Sequence, residues 1–558
     1  LRSGAVRALR DIGGSRPLER SVAVVVFGCA LIYATLSARF WGRMNAPLHF
    51  DDGYVAAVAA RLIQGRFLPY VDVASHRGLG FYWLAGIAQA LGGWTEWVGI
   101  RWLASGGFVL TVVTLFVAGI AARKELAGAV ATLLFTYLNV CVLETETVFG
   151  MVSEPFASAF SLLALLTAAA GLCRTHGFAA RAALMAACGV LSALAGVTKQ
   201  TYLPVIGPFA LWAAAFAFSE PEWSPRRGLG LVLALLGGWL LPLIAILTVY
   251  GGAGQLSAFV YWFVTYNQKV YMGPYGPGSF ERELRGWLAT HGTIALALVV
   301  VLLAALQRVA PQILRSGRPI LVAYRGVAFE ATCLWQAVLA IIGTVMPLRF
   351  WSQYELPPVP WVALLVGLGF ERWCELGWSM ERSAIKRASG ALVTGLVLVG
   401  FTAPLMDDRL ETWREQRANG QWRSARPDSL CEVVDTYARH DEPIFIWGFD
   451  GVDIYVTCKH PPASRYVYMT SVAGIVPGFW DKPSSRYVAP HAREDLLADL
   501  TRTRPPVILD YPGRLGNFHI TRVRSFEQLL DRDYCSRGES VSRNGRHFGV
   551  YVRKDRCP

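Results

Sequence analysis

The chain has 558 residues, of which 54% are hydrophobic and only 17% charged, and its mean hydropathy is +0.37. That composition excludes an ordinary soluble domain and reads as a polytopic α-helical membrane protein. The formal net charge of +13 raises nucleic acid as a partner, but the arginines and lysines sit in short connections between apolar segments, where they report membrane orientation; no nucleic-acid role is expected.

Arg2, Arg7, Arg10, Arg16 and Arg20 precede the first apolar segment, 21–40. At about twenty residues it is long enough to cross a bilayer, and no small-residue cleavage site clearly follows it, so it reads as an uncleaved first span. Further apolar stretches lie near 97–120, 126–143, 155–173, 182–198, 201–218, 229–250, 291–306, 327–346, 355–370 and 390–406. Together they predict about eleven transmembrane helices. Basic residues fill alternate connections, among them Arg123 and Lys124, Arg174 and Arg181, Arg226 and Arg227, Arg308 and Arg325, and Arg372 and Lys386. By the positive-inside rule those connections face the cytoplasm. The intervening ones, which carry Asp51, Asp52, Glu144, Glu146, Glu154, Lys199, segment 251–290 and segment 349–355, face outward, toward periplasm or lumen.

The first outward loop, 42–96, is too long to be a mere connector. Asp51 and Asp52 stand beside Gly53, and Val55, Val58, Ala59 and Leu62 follow at helical spacing until Gly65 supplies a stop. The two carboxylates therefore lie at a helix N-terminus, where they either cap the helix or do chemistry. His49 before the pair and Asp72, His76 and Arg77 after it favour a site, as does an apolar stretch at 81–91 that can lie along a membrane surface. The outward loop 251–290 sets Phe259, Trp262, Phe263 and Tyr266 on one helical face, ahead of Asn267, Gln268 and Lys269. It reads as an aromatic interfacial helix.

Past residue 406 the hydropathy falls, and 407–558 reads as one small α/β domain. Leu430, Val433, Val434 and Tyr437 share a helical face, and apolar runs at 443–448, 505–510 and 547–552 alternate with helix-like stretches at 491–503 and 525–533. Because the last span runs outward, this domain is expected on the side of Asp51. Cys431, Cys458, Cys535 and Cys557 lie in it, an even number in an oxidising compartment, and are expected to form disulfides with three pairings open. The other cysteines, Cys29, Cys141, Cys173, Cys188, Cys333 and Cys374, lie in or beside spans as small hydrophobes.

HFDD at 49–52, followed by LPYVDVASHRG at 68–78, resembles the GT-C superfamily of membrane glycosyltransferases, in particular the bacterial branch of family 39. That branch includes relatives of the protein O-mannosyltransferases and of the lipid A aminoarabinose transferase. SEP at 153–155, TKQT at 198–201, RFWSQYELPPVPWVALL at 349–365 and the run 444–466 resemble further family stretches in the same order. Two departures stand out: Gly78 and Leu79 replace a Pro-Pro, and Gln353 replaces a late histidine.

The resemblance implies an inverting enzyme of the bacterial inner (cytoplasmic) membrane. It would move a sugar from a polyprenyl-phosphate donor to an acceptor on the periplasmic face, the acceptor being a lipid, a glycan or a protein. Such chemistry needs one carboxylate to take the acceptor proton and positive charge to hold the departing phosphate. Asp51 matches the family's first acidic position and is expected to be the base, with Asp52 orienting the acceptor or binding a cation. Lys199 and Arg349, at outward ends of spans, are the first candidates for the donor phosphate, with Arg77 and Lys269 after them. Asp72, His76, Glu154 and Tyr354 are candidates for acceptor or loop support. A divalent cation, Mg or Mn, could be held by Asp51, Asp52, Glu154 or His76. The competing readings are a polymerase or ligase of lipid-linked glycans and a transporter; a transporter would place ionisable residues in mid-span and show internal repeats.

Overall fold

The computed structural model describes residues 2–42, 50–142, 148–150, 152–175, 177–219, 224–271, 277–314, 319–346, 352–380, 429–476, 483–542 and 545–557. Helix α1 (Arg2–Gly42) leads in, and its apolar part leaves Val24, Val25, Ile32 and Leu36 exposed, as a face turned to lipid would. Counting it, 8 helices among the described residues are long and apolar enough to cross a membrane. They coincide with predicted segments, and the chain is a multi-pass membrane protein. The predicted span at 126–143 is the shorter helix α5 (Glu125–Tyr137), which runs into a π-turn at Leu138–Val142. The one at 355–370 overlaps the start of the helix Val359–Met380. The stretch 390–406 and the domain boundary at 406 lie outside the described residues.

The loop after α1 folds into two helices, α2 (Phe50–Gln64) and α3 (Leu79–Gly92), and the next long apolar helix is α4 (Val98–Ala121). Every residue from 51 to 60 is buried. An amphipathic pattern would bury one face only; α2 is covered on the other by the C-terminal region, as a helix of small apolar residues allows. The first turn of α2 thus sits between the membrane bundle and the C-terminal domain.

That domain carries a 4-stranded sheet in the order β1-β2-β4-β3, with β1 (Phe445–Gly448), β2 (Val507–Tyr511), β3 (Tyr534–Val541) and β4 (His547–Arg553). β1 and β2 are parallel, with Phe445 opposite Ile508, and the crossover between them carries the helix Ala492–Thr503. β4 pairs antiparallel with β2 and with β3. The predicted helices and three of the strands stand where the sequence placed them, joined by β3, whose polar residues give no apolar alternation. Cys431 is bonded to Cys458, and Cys535 to Cys557.

Residues 256–271 differ from expectation. They form a short helix, Leu256–Val260, continued by π-helical turns, but the aromatic face is turned into the protein. Trp262, Phe263 and Tyr266 are buried, and Phe259 packs on Tyr70 and Tyr250 at centroid distances of 6.0 and 5.1 Å. The exposed face carries Leu256, Val260 and Val264 instead. The aromatic face thus packs on Tyr70 of the first outward loop and on Tyr250.

Candidate functional site

Asp51 and Asp52 occupy the first turn of α2, at 1% and 0% exposure, and their side chains meet different partners. One oxygen of Asp51, Oδ1, forms an ion pair with Arg77. The same oxygen accepts a hydrogen bond from the Tyr468 hydroxyl at 3.2 Å. Asp52 Oδ2 pairs with Arg101 of α4 at 2.5 Å, both side chains wholly buried, and Arg101 donates a second bond to the Phe149 carbonyl at 3.2 Å. A buried charge needs such a partner to be tolerated.

Around Asp51 lies a knot of hydroxyls and rings. The Tyr54 hydroxyl donates to Ser75 Oγ at 2.5 Å; Ser75 also bonds the Tyr82 hydroxyl, and Tyr82 lies 3.1 Å from that of Tyr54. The Tyr54 ring stacks on Tyr468 at 3.7 Å, and Tyr468 on Phe449 at 4.4 Å. Arg77 sits 5.5 Å from the Tyr54 centroid, and its carbonyl accepts from the Tyr70 hydroxyl at 2.6 Å. Burial alone would lower the pKa of the Arg77 guanidinium, yet the Asp51 carboxylate beside it holds it well above the usual value. Burial pushes the Tyr468 phenol well above its ordinary value, with Asp51 adding to the rise. Tyr468 therefore keeps its proton and acts as a donor to the carboxylate.

A second charged pair lies at the start of two membrane helices. Lys199 Nζ meets Glu154 Oε1 at 2.7 Å, Ser153 Oγ donates to Glu154 Oε2 at 3.0 Å, and Nζ stands 4.7 Å over the Tyr354 ring. The His76–Gly78 strip joins this pair to the first site. The His76 carbonyl accepts from Gln200 Nε2 at 3.2 Å and from Asn267 Nδ2 at 2.8 Å. Gly78 packs so closely on the Thr198 carbonyl that a Cβ there would overlap it. This close approach leaves no room for a side chain at position 78.

The structure thus brings Asp51, Asp52, Arg77 and His76 into one neighbourhood and Glu154, Lys199 and Tyr354 into the next. Asp72 stands apart and is structural, since its Oδ2 accepts from the backbone N–H groups of Arg66 and Leu68, both at 2.8 Å, and fixes the turn that ends α2. Lys269 is exposed. Arg349, His49, Glu144 and Glu146 lie outside the described residues. The expected cation set of Asp51, Asp52, Glu154 and His76 is not assembled. Each carboxylate faces a different cationic side chain, and among the described residues no group of three or more His, Cys, Asp or Glu stands together as ligands. This donor set does not fit a divalent ion, which calls for several convergent oxygens.

Sequence reasoning missed Arg101 and Tyr468. Arg101 had a signal: it is an arginine inside an otherwise apolar span, where a charge is costly enough to need a reason. Tyr468 had none, since 417 residues separate it from Asp51.

No protein-family model matches the chain, and no curated protein matches it. Solved structures do. ArnT from Cupriavidus metallidurans, bound to undecaprenyl phosphate, matches with a TM-score of 0.49 and 16% identity over 96% of this chain and 99% of that one. The oligosaccharyltransferase AglB from Archaeoglobus fulgidus, in complex with an inhibitory peptide and a dolichol-phosphate, matches with a TM-score of 0.47 and 13% identity over 96% and 75%. The Archaeoglobus fulgidus oligosaccharyltransferase in complex with Zn and sulfate matches with a TM-score of 0.46 and 13% identity over 94% and 73%.

Proposed function

We propose that this chain is a GT-C-type membrane glycosyltransferase of the bacterial cytoplasmic membrane. It takes a sugar from a polyprenyl-phosphate donor and passes it to a hydroxyl or amine of a lipid, glycan or peptide acceptor. The 407–558 domain and the loop 42–96 lie on the periplasmic face. The observation that carries this reading is Asp51 itself: a buried carboxylate in the first turn of the helix after the first span, beside Arg77 and within reach of the loop that bears Lys199.

Asp51 holds the acceptor and receives its proton as the acceptor atom bonds to the anomeric carbon. The bond from that carbon to the phosphate oxygen breaks in the same step, and the phosphate keeps the electron pair, so one displacement inverts the anomeric centre. Arg77 and Lys199 are the cations that meet the developing phosphate charge. Each is held by a carboxylate, Asp51 or Glu154, and the donor phosphate competes with that carboxylate for the cation. Asp52, paired with Arg101, shapes the start of α2 and holds Asp51 in place.

The test is Asp51→Asn in the full-length protein, supplied with whole cell-envelope material from cells lacking the gene as donor and acceptor together. An amide keeps the volume but takes no proton. Transfer, read by mass spectrometry, is expected to fall by roughly two to four orders of magnitude, while undecaprenyl phosphate still binds. Transfer at the wild-type rate by a correctly folded Asp51→Asn protein would remove the base from this scheme.

A further inference from the structure

The C-terminal domain is not appended to the membrane part. Its apolar core runs without interruption into that of α2 and α3, from Tyr54 and Val58 to Trp447, Leu509 and Val552. The Ala74 N–H donates to the Arg465 carbonyl at 2.9 Å, and Arg465 is in turn gripped by Asp499. Gly53, next but one to Asp51, lies so close to the domain that a Cβ would stand 2.8 Å from the Asp453 backbone. Lys459 and Glu96 face each other at 3.6 Å on the rim.

From this seam the Tyr468 side chain reaches the carboxylate. We infer that Tyr468 is a positioning residue of the transfer reaction, and that the C-terminal domain completes the active site by placing its hydroxyl on Asp51. This rests on the function proposed above and adds a part to it. The Tyr468 ring is clamped between Tyr54 and Phe449, so its hydroxyl is held in one direction at little further cost in side-chain entropy. It donates to the Asp51 oxygen that Arg77 also holds. When Arg77 turns to the donor phosphate, the phenol remains the group that fixes the rotamer of the carboxylate toward the acceptor. A misplaced base costs rate rather than donor affinity, because the orientation matters only once bonds change. The domain therefore acts on the transfer step and leaves donor binding alone.

Three full-length variants, purified in detergent and shown monodisperse by chromatography, test this. Tyr468→Phe keeps the stack and loses the hydroxyl. It is expected to bind undecaprenyl phosphate within about twofold of wild type and to slow transfer with the same cell-envelope material by about tenfold or more. Tyr468→Ala, which also removes the stack, is expected to be slower still. Gly53→Ala, which pushes the domain off α2 without touching Tyr468, is expected to share the pattern of normal lipid binding with slow transfer. A structural tyrosine tolerates phenylalanine, so wild-type transfer by Tyr468→Phe overturns the inference whatever the other variants do. Asp51→Asn separates the two claims: if it is inert while Tyr468→Phe is unaffected, the proposed function stands and the role of Tyr468 falls. If Asp51→Asn itself transfers normally, the function reading falls first.

Discussion

Arg101→Leu is the most informative single perturbation of the bundle, because Arg101 and Asp52 are both at 0% side-chain exposure. Leucine fills the space in α4 but leaves the Asp52 carboxylate buried without its guanidinium and takes a donor from the Phe149 carbonyl. Removing one member of a buried pair costs about 3–5 kcal/mol. That corresponds to about two to four powers of ten in the folding equilibrium, at about 1.4 kcal/mol each. Asp52→Asn leaves an amide oxygen that still accepts from Arg101 but buries the guanidinium without its counter-charge, so a loss in the same range of about 3–5 kcal/mol is expected. In the double variant no uncompensated charge is buried, and it should recover about 1–3 kcal/mol relative to Arg101→Leu alone. The measurement is the midpoint of thermal unfolding of the purified full-length proteins, followed by loss of the monodisperse peak after heating. The expected ranking is wild type, then the double variant, then the two single variants. An Arg101→Leu protein as heat-stable as wild type, or a double variant that falls by the sum of the two single losses, would refute the argument that this pair anchors α2.

Two further outcomes follow from the seam and the loop. Gly78→Ala puts a Cβ into the Thr198 carbonyl; the strip 76–78 must move away from Lys199, and both undecaprenyl phosphate binding and transfer should drop, whereas normal values for both would show that the two motifs need not touch. Asp499 is held below the ordinary carboxylate range: burial alone would raise it, but the side chain and backbone of Arg465 bond to it and win. The stability this contributes is present above the unfolded carboxylate pKa of about 3.9 and is lost as pH falls through the depressed folded value. Asp499→Asn should therefore lower the unfolding midpoint by more at pH 7 than at pH 3, and an equal loss at both would show that the charge is not what matters.

Much of this was legible in the residues. The spans declare themselves by length and apolarity, α2 by Val55, Val58, Ala59 and Leu62 between an acidic start and Gly65, and the domain strands by short apolar runs such as PIFIWG and PPVILD. Local chemistry writes these signals. What stayed hidden depends on pairings between distant segments: Tyr468 on Asp51, Arg465 on Ala74, the inward turn of Phe259 and Trp262. An aromatic stripe at helical spacing looks the same whether its partner is a headgroup layer or Tyr70 and Tyr250. Asp72, which the motif order marked as part of a site, is a turn-former because two backbone N–H groups six and four residues before it converge on its carboxylate. Position in a motif did not separate that structural role from chemistry.

The adjacent aspartates show how one short motif serves two ends. Consecutive residues on a helix are about 100° apart, so their side chains diverge and meet different surroundings. Asp51 meets the seam, where Arg77 and the domain's Tyr468 bond to it; Asp52 meets the bundle, where Arg101 fixes it to α4. A pair of carboxylates on one face would repel, and one would have to hold a proton to be buried. Splitting them across two faces gives each its own guanidinium, at a helix start where the dipole also favours negative charge. The motif thus joins three bodies at one point: α4 through Asp52, the loop at 75–78 through Asp51 and Arg77, and the C-terminal domain through Tyr468. The proposed reaction, which brings a lipid-borne phosphate and a separate acceptor to one carboxylate, would use that junction, and residues 51 and 52 form it because they are neighbours in sequence and not on the helix surface.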